Sequence, residues 1–205
     1  MMLKKKKQQI YSSKYADTFD FILIGDPDVG KTCLLYRFCY DFYSSYNKKR
    51  KKPEIFTISS LNNNQEFKIQ FWDTQFTEDN IEKNKKIIQK SDGIMFVCSY
   101  NNKESLKKIL FWHRLLSSHI NINNKQISVF VNKSDLEEEI EIPEDDIRRI
   151  SNELNTDYYI MSAKTGKGVK KAFGEFIVRV ISKVYNISKS NQIMNGDEKA
   201  NCNII

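Results

Sequence analysis

No apolar run in the 205 residues approaches the length of a membrane-spanning helix, and no apolar segment follows Lys4–Lys7 as a secretory leader requires. Neither a membrane span nor a cleaved leader is therefore expected. Cysteine is sparse, with Cys33, Cys39, Cys98 and Cys202 as the four, and no pair has C-x-x-C spacing. Three of them fall in predicted elements, so they read as buried thiols of a reducing compartment. Only two histidines occur, His113 and His119; both lie on one predicted helix with no third ligand near, which argues against a histidine metal site. Positive charge is not spread evenly. Lys4–Lys7 contribute four charges and Lys48, Lys49, Arg50, Lys51 and Lys52 five, and setting these nine aside takes the net charge from +7 to −2. A slightly acidic body with two local basic patches argues against a general nucleic-acid surface.

What the chain does contain is one medium domain, residues 19–185, between a polar basic arm (1–18) and a polar tail (186–205). The arm shows no helix or strand period and reads as solvated, with a membrane-surface role for Lys4–Lys7 as the alternative. The stretch Phe21–Tyr40, FILIGDPDVGKTCLLYRFCY, organises the domain. Phe21–Ile24 reads as a buried strand, Gly25–Thr32 as a loop, and Cys33–Tyr40 as an apolar-rich helix. The loop fits G-x-x-x-x-G-K-[ST] in the strand–loop–helix context that the pattern needs. Glycines let backbone N–H groups turn inward on phosphate oxygens, and the helix N-terminus adds positive potential. Gly25, Asp28, Val29, Gly30, Lys31, Thr32 and Cys33 are the expected phosphate-binding set. Within it Lys31 reaches the β- and γ-phosphates and the Thr32 hydroxyl ligates Mg²⁺.

Downstream, Glu54–Leu61 and Glu66–Trp72 read as strands joined by the Asn62–Asn64 turn. Asp73 ends the second, where a carboxylate beside a P-loop would hold the metal through water. Asp79–Lys90 is helix-capable, and Gly93–Tyr100 is an apolar central strand. Lys103–Ile120 is a helix with Leu106, Ile109, Leu110, His113, Leu116 and Ile120 along one face. Ile127–Val131 is a further strand, followed by Asn132-Lys133-Ser134-Asp135, an N-K-x-D. Asp135 can accept the N1–H and the exocyclic amino group of guanine together, and adenine offers neither, while Asn132 and Lys133 brace the loop and cover the base. Pro143–Leu154 is a helix with Pro143 in its first turn, Asp157–Met161 the last strand, and Val169–Tyr185 the closing amphipathic helix. The chain ends Cys202-Asn203-Ile204-Ile205, a C-a-a-X shape whose terminal Ile leans toward geranylgeranyl. One lipid gives only reversible attachment, so a second signal is expected from Lys4–Lys7 or from a partner.

GDPDVGKT, WDT, NKSD and MSAK in this order, with the prenyl-type terminus, resemble the Ras-like superfamily over roughly Asp20–Tyr185. RFCYDFYSSY, Trp72 before Asp73, and GIMFVCSYNNKESL favour its Rab branch. The resemblance implies an α/β P-loop NTPase (small G-protein) fold, a doubly wound, six-stranded, mostly parallel sheet flanked by about five helices. It implies binding of GDP and GTP with Mg²⁺, two switch loops ordered by the γ-phosphate, and work in vesicle traffic. Effector and exchange-factor partners follow, on the cytoplasmic face of an intracellular membrane with a cytosolic pool. By the same resemblance Ser162, Ala163 and Lys164 touch guanine through backbone N–H groups. Tyr43 holds the place of an aromatic beside the base, or else anchors its loop on the core.

The switches depart from that pattern. Ungapped counting puts Arg50 or a neighbouring lysine where the family has a Mg²⁺-ligating Thr, and Thr57 is expected to be an ordinary strand residue. The run Lys48–Lys52 reads as a solvated loop or a contact for an acidic partner or anionic lipid; the alternative sets Arg50 on the phosphates. The family's D-T-A-G-Q is here Asp73-Thr74-Gln75-Phe76-Thr77, so the γ-phosphate-sensing Gly becomes Phe76 and the water-orienting Gln becomes Thr77. Pro27 and Asp28 replace small residues that face the phosphates. The expectation is slow hydrolysis and weak GDP/GTP discrimination, with no catalytic residue assigned. The alternative is a nucleotide-binding pseudo-GTPase, a constitutive membrane-recruited docking module.

Overall fold

Alternation along the first strand decides the layers. Phe19, Phe21 and Leu23 enter one buried cluster, and Ile22 and Ile24 enter another on the opposite face, as a period of two requires. The computed structural model describes residues 15, 17–44, 54–62, 65–73, 76 and 80–185. Lys4–Lys7, Lys48–Lys52, Thr74, Gln75, Thr77 and the tail from Asn186 with Cys202 lie outside the described residues.

The first strand, β1 (Asp17–Ile24), starts earlier than Phe21 and inside the stretch assigned to the arm. Its polar beginning hid it: Asp17–Asp20 pair with Phe67–Gln70 through backbone groups, whatever side chains they carry. Five further strands complete the sheet: β2 (Glu54–Asn62), β3 (Gln65–Asp73), β4 (Gly93–Ser99), β5 (Gln126–Asn132) and β6 (Tyr158–Ile160). Their order is β2-β3-β1-β4-β5-β6. Among the described residues only the β2–β3 pairing is antiparallel, in register from Glu54 opposite Asp73 to Asn62 opposite Gln65. Thr57 lies opposite Gln70 within this ladder, an ordinary strand residue.

Five helices cover the two faces. Helices α1 (Lys31–Tyr40) and α5 (Val169–Tyr185) pack on one, where Phe38 stacks on Phe173 with centroids 4.4 Å apart. Helices α2 (Ile81–Lys90), α3 (Lys103–His119) and α4 (Glu144–Glu153) cover the other. Along α3 the expected face is modified: Trp112 is buried beside Leu106, Ile109 and Leu116, while Leu110 and His113 are only half-buried. Pro143 is the N-cap of α4 in extended backbone, not a first-turn residue, and Glu144, Asp145 and Asp146 occupy the turn that carries positive potential. Cys39 and Cys98 are buried, whereas Cys33 is half-buried, since it lies on the flank of α1 facing the Ser44 carbonyl.

This topology fixes where a ligand can sit. Chain order reverses at β1, whose neighbours are β3 on one side and β4 on the other. The loop after β1 therefore lies at a switch point, on the carboxyl edge of the sheet. The carboxyl ends of β3, β5 and β6 lie on that same edge.

Candidate functional site

The Gly25–Thr32 loop is held in shape by contacts that its sequence motif does not reveal. A Cβ on Gly25 would lie 2.1 Å from the Val97 carbonyl oxygen, and one on Gly30 would lie 2.3 Å from Asn132 Nδ2. Gly30 also has φ +94°, so both positions exclude a side chain. Asp28, where the family pattern has a small residue, adopts the left-handed region at φ 62° and is exposed. Val29 is buried, so it reaches the loop's function through its backbone alone. Asp26 is drawn to α3: its carboxylate accepts from Trp112 Nε1 at 3.3 Å and pairs with Lys108 Nζ at 3.1 Å.

Lys31 folds back over the loop, its Nζ donating to the carbonyls of Gly25 and Asp26 at 2.7 Å each. Burial lowers its ammonium pKa to about 8, against the opposing pull of Asp73, Asp26 and Asp28. The next residue, Thr32, donates its hydroxyl to Asp73 Oδ2 at 2.6 Å, joining the start of α1 to the end of β3. A hydroxyl and a carboxylate, both hard oxygen donors, fit Mg²⁺, which takes few protein ligands and keeps waters and substrate phosphates. Among the described residues no cluster of three or more His, Cys, Asp or Glu offers an alternative metal cage.

The second half of the site is built from the loops after β5 and β6. Asn132 is buried; its carboxamide donates to the Val29 carbonyl at 2.9 Å and accepts from Ala163 N at 3.0 Å. Lys133 turns the chain at φ 67°, a left-handed conformation that non-glycine residues adopt only under constraint. Two residues later the Asp135 carboxylate accepts from Ser162 Oγ at 2.6 Å, and Lys164 Nζ approaches its other oxygen at 3.7 Å. Tyr43 is half-buried against the α1/α5 cluster. Burial raises its phenol pKa, with smaller contributions from Cys33 and from Asp135. It thus anchors its loop on the core while staying within electrostatic reach of Asp135.

The tertiary structure therefore assembles Lys31, Thr32 and Asp73 as one group and Asn132, Asp135, Ser162, Ala163 and Lys164 as another, with Asn132 bridging them. Phe76 is 4% exposed and packs in the α2–α4 cluster, not against the P-loop group. Sequence reasoning missed Trp112, although its spacing from Ile109 and Leu116 carried the helical period. It also missed a role for Arg37, which entered only as the first residue of the Rab-like run RFCYDFYSSY. Arg37 donates from Nε to Ala163 O at 2.8 Å and from Nη2 to Lys164 O at 2.9 Å, tying α1 to the loop after β6.

The Ras family profile matches residues 20–182. The Ras-related protein Rab-3D of Homo sapiens is 28% identical over 170 residues, spanning 83% of this chain and 77% of that protein. The Ras-related protein RABA4b of Arabidopsis thaliana is 28% identical over 187 residues, spanning 91% of this chain and 81% of its own length.

Proposed function

The chain belongs to the Ras family, as a Ras-like small GTPase most similar to Rab proteins, and on that footing we propose that it binds guanine nucleotide with Mg²⁺, hydrolyses GTP slowly and serves membrane traffic. The observation that carries this reading is Asp135, held by the Ser162 hydroxyl in the loop that Asn132 links to the P-loop. A carboxylate fixed there accepts two donors from guanine and meets none on adenine. Lys31 exchanges its two carbonyl partners for phosphate oxygens, and P-loop N–H groups bind the remainder. Thr32 and Asp73 hold Mg²⁺, which when bound neutralises phosphate charge.

Slow turnover follows from the side chains after Asp73. No residue there matches the family's water-orienting Gln, and a ring at Phe76 occupies the place of the Gly whose N–H meets the γ-phosphate. Membrane attachment rests on Cys202 as a prenyl acceptor; no helix among the described residues is long and apolar enough to cross a membrane. The burial of Phe76 favours a second reading, a constitutive docking module whose second switch is pinned to the core.

The deciding experiment identifies the nucleotide carried by purified full-length protein, then follows single-turnover hydrolysis of loaded GTP with Mg²⁺. Conversion to GDP, accelerated by an activating protein, supports a slow switch. GTP retained intact, with GDP bound equally well, supports the docking module. Absence of any guanine preference over adenine nucleotides would overturn both.

A further inference from the structure

We infer that Arg37, a helix residue outside the phosphate-binding and guanine-binding motifs, is a positioning residue for guanine recognition that aims the Lys164 backbone N–H at the six-position oxygen of the base. The inference rests on the guanine-nucleotide reading above.

The loop after β6 has spent almost all of its donors internally. Ser162 N–H goes to the Lys167 carbonyl, Ala163 N–H to Asn132 Oδ1, and Thr165 N–H to Ser162 Oγ. Gly166 N–H goes to the Ser162 carbonyl and Lys167 N–H to Thr165 Oγ1. Among the described residues of this loop only the N–H groups of Lys164 and of Gly168, which directly precedes α5, have no partner, and Lys164 itself is exposed. With the Lys164 N–H free and a carboxylate that its own Ser162 holds, the loop presents a donor and an acceptor. Guanine offers the complement, an oxygen at position six and donors at positions one and two. Adenine would set an amino donor against the N–H.

Arg37 controls that N–H through peptide geometry. The Ala163 carbonyl and the Lys164 N–H belong to one planar trans peptide and point in opposite directions. Anchoring the Ala163 oxygen at 2.8 Å therefore fixes the direction of the N–H. The second bond, to the Lys164 carbonyl, stops the next peptide from rotating. The donor is charged and its side chain only 16% exposed, so it polarises the amide and strengthens its N–H as a donor. Nη1 in turn donates to the backbone and carboxylate oxygens of Asp41 at 2.9 and 3.0 Å, which fixes the guanidinium plane. A lysine ammonium has no rigid fork with which to hold these three places together.

The test uses the full chain with Mg²⁺ and compares dissociation constants for GDP and for 6-thio-GDP, in which the oxygen becomes a poor acceptor. Wild-type protein is expected to prefer GDP by about three- to ten-fold, the equilibrium worth of one net hydrogen bond. Arg37→Met should weaken GDP by that factor and bring the ratio toward one, while Arg37→Lys restores part of it. Parallel loss for both nucleotides with the ratio kept would overturn the inference, as would no change in either. If Arg37→Met does not fold, a wild-type ratio in Arg37→Lys overturns it equally. The wild-type preference for GDP over ADP is read first. Its absence overturns the nucleotide reading and this inference together; its presence with an unmoved ratio overturns only the role of Arg37.

Discussion

Asn132 Nδ2 donates to the Val29 carbonyl at 2.9 Å, and the Gly30 α-carbon lies so close that a Cβ there would be 2.3 Å from the same nitrogen. The phosphate loop and the base loop are thus one mechanical unit, since the carboxamide also accepts from Ala163 N. Truncation would leave a buried carbonyl and a buried N–H unpaired. Asn132→Ala is expected to cost about 1–3 kcal/mol of stability and to speed nucleotide release. Thermal unfolding and nucleotide dissociation kinetics check both, and a variant with wild-type values in each would refute the bridge.

The depressed ammonium of Lys31 predicts a pH dependence of binding. Its free-protein pKa is lowered to about 8 by burial, and a bound polyphosphate favours the charged form. Above pH 8 binding must take up a proton, so affinity for GDP falls, by up to about one decade per pH unit. For folding, the sign is the reverse of a paired lysine. The buried ammonium costs stability below pH 8, and the cost is relieved as pH rises from 8 toward the ordinary 10.5. Calorimetric titration from pH 7 to 9 reads the binding arm; flat affinity would contradict it.

Thr32 and Asp73 meet at 2.6 Å, and that contact predicts how Mg²⁺ acts. Asp73→Asn removes the charge but keeps an acceptor for the hydroxyl, so the fold should persist. Metal affinity in the nucleotide complex is expected to drop about ten- to 100-fold, as for loss of an outer-shell carboxylate. Chelating Mg²⁺ should then accelerate GDP release in the wild type far more than in the variant. An equal response in both proteins would remove Asp73 from the metal site.

Phe76 is buried at 4% exposure in the α2–α4 cluster. Phe76→Ala is expected to cost about 3–5 kcal/mol, the usual range for a core phenylalanine, with little change in GDP affinity. Denaturant unfolding of the nucleotide-bound protein reads the first quantity and equilibrium binding the second. A loss below about 1 kcal/mol would mean the ring does not pin this segment.

Fold class and the nucleotide motifs were legible because they depend on local pattern. Apolar runs mark β4 and β5, and a 3.6-residue period marks α5, which spans Val169–Tyr185 as expected. Glycine spacing marks the P-loop, and a carboxylate two residues past Lys133 marks the base loop. The beginning of β1 was not legible, since Asp17–Asp20 are strand residues by pairing and not by polarity. Nor was Trp112 visible as a P-loop contact, because its indole meets Asp26 across 86 residues of sequence.

The sequence by itself therefore determined the sheet, its helices and the chemical types at the site: an ammonium, a hydroxyl and two carboxylates in the right order. Those follow from side-chain polarity and spacing, which act over a few residues. Only the tertiary structure decided that Ser162 holds Asp135, that Asn132 joins the two loops, that Phe76 points into the core, and that Arg37 grips the Ala163 and Lys164 carbonyls. Each is a contact between distant segments, set by how helices pack on the two faces of an open sheet, and hydrogen-bond direction exists only once both partners are in place.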